Sequence, residues 1–322
     1  MSAELPARVN PIGRALSDAG ILAWRSLKRI PRTPDMLIYA TIQPIMFVLL
    51  FAYVFGNAIP IPGFPGPQAY REFLMAGIFA QTMAFAVASA SVGLADDMSK
   101  GLIDRFRSLP MARSGVIAGR VAGDLVFNSF VMVIMVLCGL LVGWRWHNGF
   151  GQALAAFGIL LLFAFAMLWV GALIGLSVGG PEVASSAGLI WLFPLTFLSN
   201  AFVPTPQLPS ALQPIAEWNP ISSIVAACRH LFGNPSPFAS PDSFPAQHPV
   251  WLSLIWCTAI IAVFAPLAVA STAARPGAEP ARQAEAPRWG IPPGRFGSLV
   301  GQPVKGSAAT ISTVTSLPFG AS

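Results

Sequence analysis

Asp96-Asp-Met-Ser-Lys-Gly-Leu-Ile-Asp-Arg-Phe-Arg-Ser-Leu-Pro110 is the densest charged segment between two long apolar runs. Leu102, Ile103, Phe106 and Leu109 recur at i, i+1, i+4 and i+7, which places them on one face of a helix. Lys100, Asp104, Arg105 and Arg107 fall mostly on the other face. Asp96, Asp97 and Ser99 are read as the helix start, where free N–H groups and the positive dipole end favour them. Pro110 stops the helix, because it pushes Leu109 out of helical geometry. The stretch reads as a short cytoplasmic helix lying on the membrane, with a greasy face for the protein body and a charged face for something soluble. On pattern alone, an ordinary interfacial loop helix is the favoured reading.

Working outward, the apolar content decides the class. Of 322 residues, 55% are hydrophobic and only 10% are charged, which describes a polytopic membrane protein rather than a soluble domain. The net charge of +6 is better explained by membrane topology than by nucleic acid. Cys138, Cys228 and Cys257 show neither a disulfide framework nor metal spacing. His147, His230 and His248 are scattered without Cys or carboxylate partners, so no metal site is expected. The N-terminus carries charge for about 35 residues before any apolar run, unlike a cleaved signal peptide.

The expected fold class is an all-α membrane protein with six transmembrane helices in three segments. Residues 1–35 form a cytoplasmic segment whose apolar stripe (Ile12, Leu16, Ala19, Ala23, Leu27) makes an interfacial amphipathic helix with Trp24 as anchor. Residues 36–272 hold the spans, at about 36–56, 73–95, 121–143, 151–178, 183–203 and 250–272. Pro44 should kink the first span, and Pro194 should break the fifth one late. Gly171, Gly175 and Gly179 repeat every fourth residue, a close-packing face. Arg120 and Asp124 make an i,i+4 pair at the mouth of the third span, read as interfacial with the arginine snorkelling. Two short apolar helices, about 209–218 and 221–232, are half the length of a span and are expected to dip in and return, or to lie on the outer interface. Residues 273–322 are Pro/Ala/Gly/Ser-rich and are expected to be a disordered cytoplasmic tail.

Sixteen of the nineteen Lys and Arg residues fall in the N-terminal segment, the 95–120 loop and the tail; only Arg71, Arg145 and Arg229 fall on the other side. The positive-inside rule puts both termini and the loop in the cytoplasm.

A transporter needs a driving force. The spans hold no carboxylate except Asp124, so an ion-coupled site at mid-membrane is not expected. A P-loop needs lysine followed by Ser or Thr, whereas Lys28, Lys100 and Lys305 precede Arg29, Gly101 and Gly306. Any fuel must come through a partner.

The stretch Asp97-Met-Ser-Lys-Gly101-Leu-Ile-Asp-Arg105-Phe-Arg-Ser-Leu-Pro110-Met-Ala-Arg113 closely resembles the cytoplasmic loop of ABC-2 type exporter permeases, nearest the daunorubicin-resistance (DrrB-like) branch. Leu198-Ser-Asn-Ala-Phe-Val-Pro204, Leu208-Pro209 and Glu217-Trp218-Asn219-Pro220 resemble the outer signature of that branch. Gly119-Arg120 with Asp124 also fits, and the resemblance covers about residues 12–272. It departs in the tail after Thr272, which the family usually lacks.

The resemblance implies a permease subunit of an ATP-driven exporter in the bacterial plasma (inner) membrane, without catalytic residues of its own. It pairs with a second permease copy, identical or related, and with two ATP-binding subunits that hold the ATP and Mg. Asp97, Gly101, Leu102, Asp104, Arg105, Phe106, Arg107 and Pro110 belong to the implied coupling helix, and the N-terminal amphipathic helix also contacts the ATPase. Pro204, Glu217, Asn219 and Pro220 belong to the implied re-entrant outer region. The implied cargo is a drug, antibiotic or lipid, with membrane lipids around the chain. The competing readings are a permease exporting a glycan or glycolipid for the cell envelope, a membrane-embedded enzyme and a scaffold. The enzyme ranks low because Arg120, Asp124 and Glu182 do not converge into a site.

Overall fold

The computed structural model describes residues 34–54, 61, 63, 66–100 and 113–274, all within one compact unit, Met1–Gly277. The expected N-terminal amphipathic helix, most of the implied coupling helix and the tail lie outside the described residues.

The elements run in order α1 (Pro34–Leu49), α2 (Pro67–Ala84), α3 (Ala86–Ser99), α4 (Arg113–Val142), α5 (Phe150–Ser177), α6 (Pro181–Leu189), α7 (Leu192–Phe197), α8 (Gln213–Trp218), α9 (Pro220–Phe232), α10 (Phe244–Gln247) and α11 (Pro249–Ala274). Among the described residues, four stretches are long and apolar enough to cross a membrane: Gln68–Ser99 (α2 running into α3), Ile117–Val142, Phe150–Ser177 and Pro249–Ser271.

The two remaining expected spans take other forms. Ile38–Val54 is shorter, and helix α1 continues through Pro44 before loosening into π-helical turns at Leu50–Val54. The stretch 183–203 is broken at Ile190–Trp191 into α6 and α7, a full turn before Pro194. Pro194 has no N–H for the carbonyl of Ile190, and its ring collides with that carbonyl, so the break falls four residues upstream.

Helix α5 is the centre, packing on α3 and α11 more extensively than any other pair of elements meets. Burial separates inner from outer helices: in the most apolar part of each span, 83% of the residues of α2–α3 and 72% of those of α5 are buried, against 33% for α4 and 22% for α11. The α3–α5 contact depends on small residues. A Cβ on Gly171 would lie 2.4 Å from the Val87 carbonyl oxygen, and one on Gly175 would lie 2.5 Å from that of Ser91. Gly179 lies beyond the end of α5 and meets nothing within 4 Å among the described residues, so the expected close-packing face ends at Gly175. Helix α6 closes over the same part of α3. Ser91 Oγ donates to the Ala184 carbonyl at 3.0 Å, and a Cβ on Gly188 would meet Ser91 Oγ at 2.9 Å.

Candidate functional site

The organising stretch begins differently from its expected form. Asp96, Asp97 and Ser99 occupy the last turn of α3, not the first turn of a new helix. Carboxylates there face the negative dipole end, which is unfavourable unless they are paired. Both are paired: Asp96 takes Lys100 Nζ at 2.6 Å, and Asp97 takes Arg120 Nη1. Helix α4 starts at Arg113, earlier than expected, so Arg120 lies two turns inside it rather than at its mouth. There its Nε donates to Asp124 Oδ2 at 3.2 Å.

Arg120 is therefore shared between two carboxylates on two helices. Two charges of −1 and one of +1 leave the cluster at net −1. Its members are half-buried, with side-chain exposures of 35% for Arg120, 27% for Asp97 and 25% for Asp124. Gly93 makes room for it: a Cβ there would stand 2.0 Å from the Arg120 guanidinium. The cluster ties together the helix that leads into residues 101–112 and the helix that leads out. Gly101, Leu102, Asp104, Arg105, Phe106, Arg107 and Pro110 themselves lie outside the described residues.

The opposite end of the bundle holds the second set of residues. Asn219 caps α9, its side chain accepting from Ile221 N at 2.8 Å while Nδ2 donates to the Leu195 carbonyl at 2.7 Å. Pro220 follows at the first helical position, where the missing N–H costs nothing. Glu217 is 3% exposed, and its Oε1 accepts the backbone N–H groups of Ala239 and Ser240, each at 3.0 Å. Pro204, also buried, opens the turn Thr205–Gln207. These residues pin the short helices α8 and α9 to the chain on either side.

Arg229 is the residue that sequence reasoning passed over. It is completely buried in α9 and has no carboxylate partner among the described residues. Its Nε donates to the Phe73 carbonyl at 2.9 Å, and Nη2 donates to the carbonyls of Asn200 at 2.9 Å and Ala201 at 3.2 Å. The guanidinium also stacks on the Phe73 ring, 3.4 Å from its centroid. It thereby joins α9, α2 and the turn after α7. The signal in the sequence was a lone arginine inside an apolar helical piece. Glu72 and His147 add a further link at this end, 3.1 Å apart.

Residues 18–232 match the ABC-2 type transporter family, running from before α1 to the last residue of α9. The chain belongs to the ABC-2 type transporter family. It is 31% identical over 264 residues to the daunorubicin resistance ABC transporter permease of Streptomyces coeruleorubidus, covering 82% of this chain and 87% of that one. It is 28% identical to the doxorubicin resistance ABC transporter permease DrrB of Mycobacterium tuberculosis, over 72% of this chain and 81% of the relative. A putative transport permease of Porphyra purpurea is 24% identical over 66% of this chain and 73% of its own. For an ABC-2 permease with membrane-crossing helices, the ionic cluster and the buried arginine sit at the two ends of one bundle.

Proposed function

We propose that the chain is the transmembrane subunit of an ATP-driven exporter that moves a hydrophobic or amphipathic molecule, such as a drug, antibiotic or lipid, out of the cell. A separate ATP-binding subunit, two copies per assembly, supplies the energy. A second permease copy completes the path, because one bundle offers little polar lining of its own. Residues 97–110 form the coupling element, facing the cytoplasm in the inner membrane, with both termini on that side. The anthracyclines named for two relatives are the first cargoes to test.

The observation that carries this reading is the Asp97–Arg120–Asp124 cluster. A loop of ordinary solvated character needs no shared ion cluster between its two supporting helices. A loop that receives a push from a partner does need rigid stems, because force on a compliant segment is dissipated in that segment. The chain has no P-loop lysine, which fits an energy source on another subunit.

The test is cargo-stimulated ATPase activity of the reconstituted complex, alongside capture of the ATP-binding subunit by the permease. Arg105→Glu is expected to abolish stimulation while the protein stays inserted. A reversed, largely desolvated contact costs several kcal/mol, whereas a rim contact costs under about 1 kcal/mol. Normal stimulation by this variant would return the stretch to an interfacial loop helix.

A further inference from the structure

Between α5, α6–α7, the first turn of α9 and α11 lies a cavity of about 420 Å³. Its inner wall includes Phe163, Met167 and Val170, all buried, and its rim includes Ala187, Trp191 and Phe264, all half-buried. The rim is flanked by exposed apolar side chains, Ile190 and Phe193 on one side and Val263 and Leu267 on the other. The last two belong to α11, an outer membrane-crossing helix. The mouth therefore opens sideways, between exposed apolar side chains of a composition suited to membrane hydrocarbon.

The chemistry of the wall selects the guest. Among the described residues, no charged or amide side chain lines the cavity. A water molecule needs two to four polar partners, so water does not fill such a space stably. An empty space of this size leaves its lining without dispersion contacts. The volume falls in the ordinary range for small-molecule sites, about 300–1,000 Å³. The rings of Phe163, Trp191 and Phe264 favour a rigid ring system, which loses less conformational freedom on binding than a flexible acyl chain.

The walls also lead somewhere. Ala187 lies on α6, which is locked to α3 by the Ser91–Ala184 hydrogen bond and the Gly188 contact. The last turn of α3 carries Asp97, bound to Arg120. Displacement of α6 by a guest would bear on α3 through the Ser91–Ala184 and Gly188 contacts.

We propose that this cavity is a lateral entry pocket for the ring-bearing apolar body of the exported amphipath, taken from the membrane, and that its filling is felt at the Asp97–Arg120 pair through α6 and α3. The proposal deepens the exporter reading above and rests on it.

The experiment uses the full chain in lipid nanodiscs with rhodamine 6G, a ring-bearing amphipath, as the probe. Binding is read by fluorescence anisotropy. Ala187→Trp fills the cavity and is expected to weaken binding at least tenfold. Leu267→Trp, on the exposed side of α11, is expected to leave it within twofold. Phe264→Leu, a smaller change that leaves α6 untouched, is expected to weaken binding about threefold. Discs made from lipid brominated along the acyl chain report the other occupant, through quenching of the Trp191 signal obtained by difference from Trp191→Phe. Saturating probe is expected to relieve that quenching; quenching that persists assigns the cavity to a lipid chain and overturns the proposal. Wild-type binding no stronger than to empty discs, or binding insensitive to Ala187→Trp and Phe264→Leu, overturns it as well. ATP-driven probe uptake by the complex with its ATP-binding subunit separates the two readings. Binding without uptake leaves a pocket and removes the exporter. Uptake that Ala187→Trp leaves intact keeps the exporter and removes the pocket.

Discussion

Arg120 on α4 donates to Asp97 at the end of α3, across 23 residues of chain that include the whole undescribed segment 101–112. The pair makes the two helices on either side of that segment a single mechanical support. The same guanidinium also holds Asp124, one turn further along its own helix.

Removing the arginine leaves two half-buried carboxylates facing one another. Arg120→Ala is expected to lower stability by about 1–2 kcal/mol, between the values for exposed and for buried pairs. It is also expected to reduce cargo-stimulated ATPase at least tenfold, with insertion and subunit capture retained. Thermal unfolding in detergent and ATPase assays of the complex provide the two readings. A full stability loss with no change in stimulation would make the cluster a purely structural pair.

Charge exchange tests the pair itself. Asp97→Arg and Arg120→Asp are each expected to disable coupling, and the double variant is expected to recover part of it. A coupling energy of about 0.5–3 kcal/mol is the range for residues in direct contact. Asp124 limits the recovery, because Arg120→Asp places two acids one turn apart on α4. Additive losses in the double variant would show that the two residues act independently.

Two glycines of similar apparent tightness should behave differently. A Cβ on Gly77 would meet the Ala201 carbonyl oxygen at 2.1 Å, and backbone cannot swing aside. Gly77→Ala is expected to cost about 3 kcal/mol or more, the scale of severe overpacking. A Cβ on Gly93 meets the tip of the flexible Arg120 side chain at 2.0 Å. Gly93→Ala is expected to cost about 1 kcal/mol in stability, while displacing Arg120 and mimicking the coupling defect of Arg120→Ala. Thermal scans of both variants beside their ATPase rates distinguish the cases.

Arg229 is expected to be intolerant of conservative exchange. Lysine has no planar fork to reach the carbonyls of Phe73, Asn200 and Ala201 together, nor to stack on the Phe73 ring. Arg229→Lys is expected to cost about 2–3 kcal/mol, the scale of one or two charge-assisted hydrogen bonds, and Arg229→Ala more. Hydrogen exchange across 198–203 and α9 should rise in both variants. Unchanged protection there would mean that the turn is held without Arg229, by Asn219 and by Ser222, whose Oγ accepts the Asn200 N–H at 3.0 Å.

Much of the architecture was legible from one-dimensional signals. Hydrophobic length located 151–178 and 250–272 to within a few residues of α5 and α11, because a helix in hydrocarbon satisfies its own backbone and needs only apolar side chains over the required length. The short apolar piece expected at about 221–232 matches α9 to within a residue, and the structure shows why it starts there: Asn219 and Pro220 act within one turn of their own backbone. The family was legible for the same reason: its motifs are local runs of residues in a fixed order.

What the tertiary structure decided are the contacts between distant segments. The i,i+4 spacing suggested Arg120 with Asp124, but only the crossing of α3 over α4 brings in Asp97 and gives Gly93 its purpose. Gly175 is part of the α3–α5 contact and Gly179 is not, although both continue one repeat, because α5 ends at Ser177 and the extended Val178 takes Gly179 off the helix face. Arg229 read as a stray outer charge until three carbonyls from two other segments converged on it. Local order follows from backbone and side-chain preferences that act over a few residues. The partners of a buried charge follow from which helices pack together, and that is a property of the whole chain's burial of apolar surface.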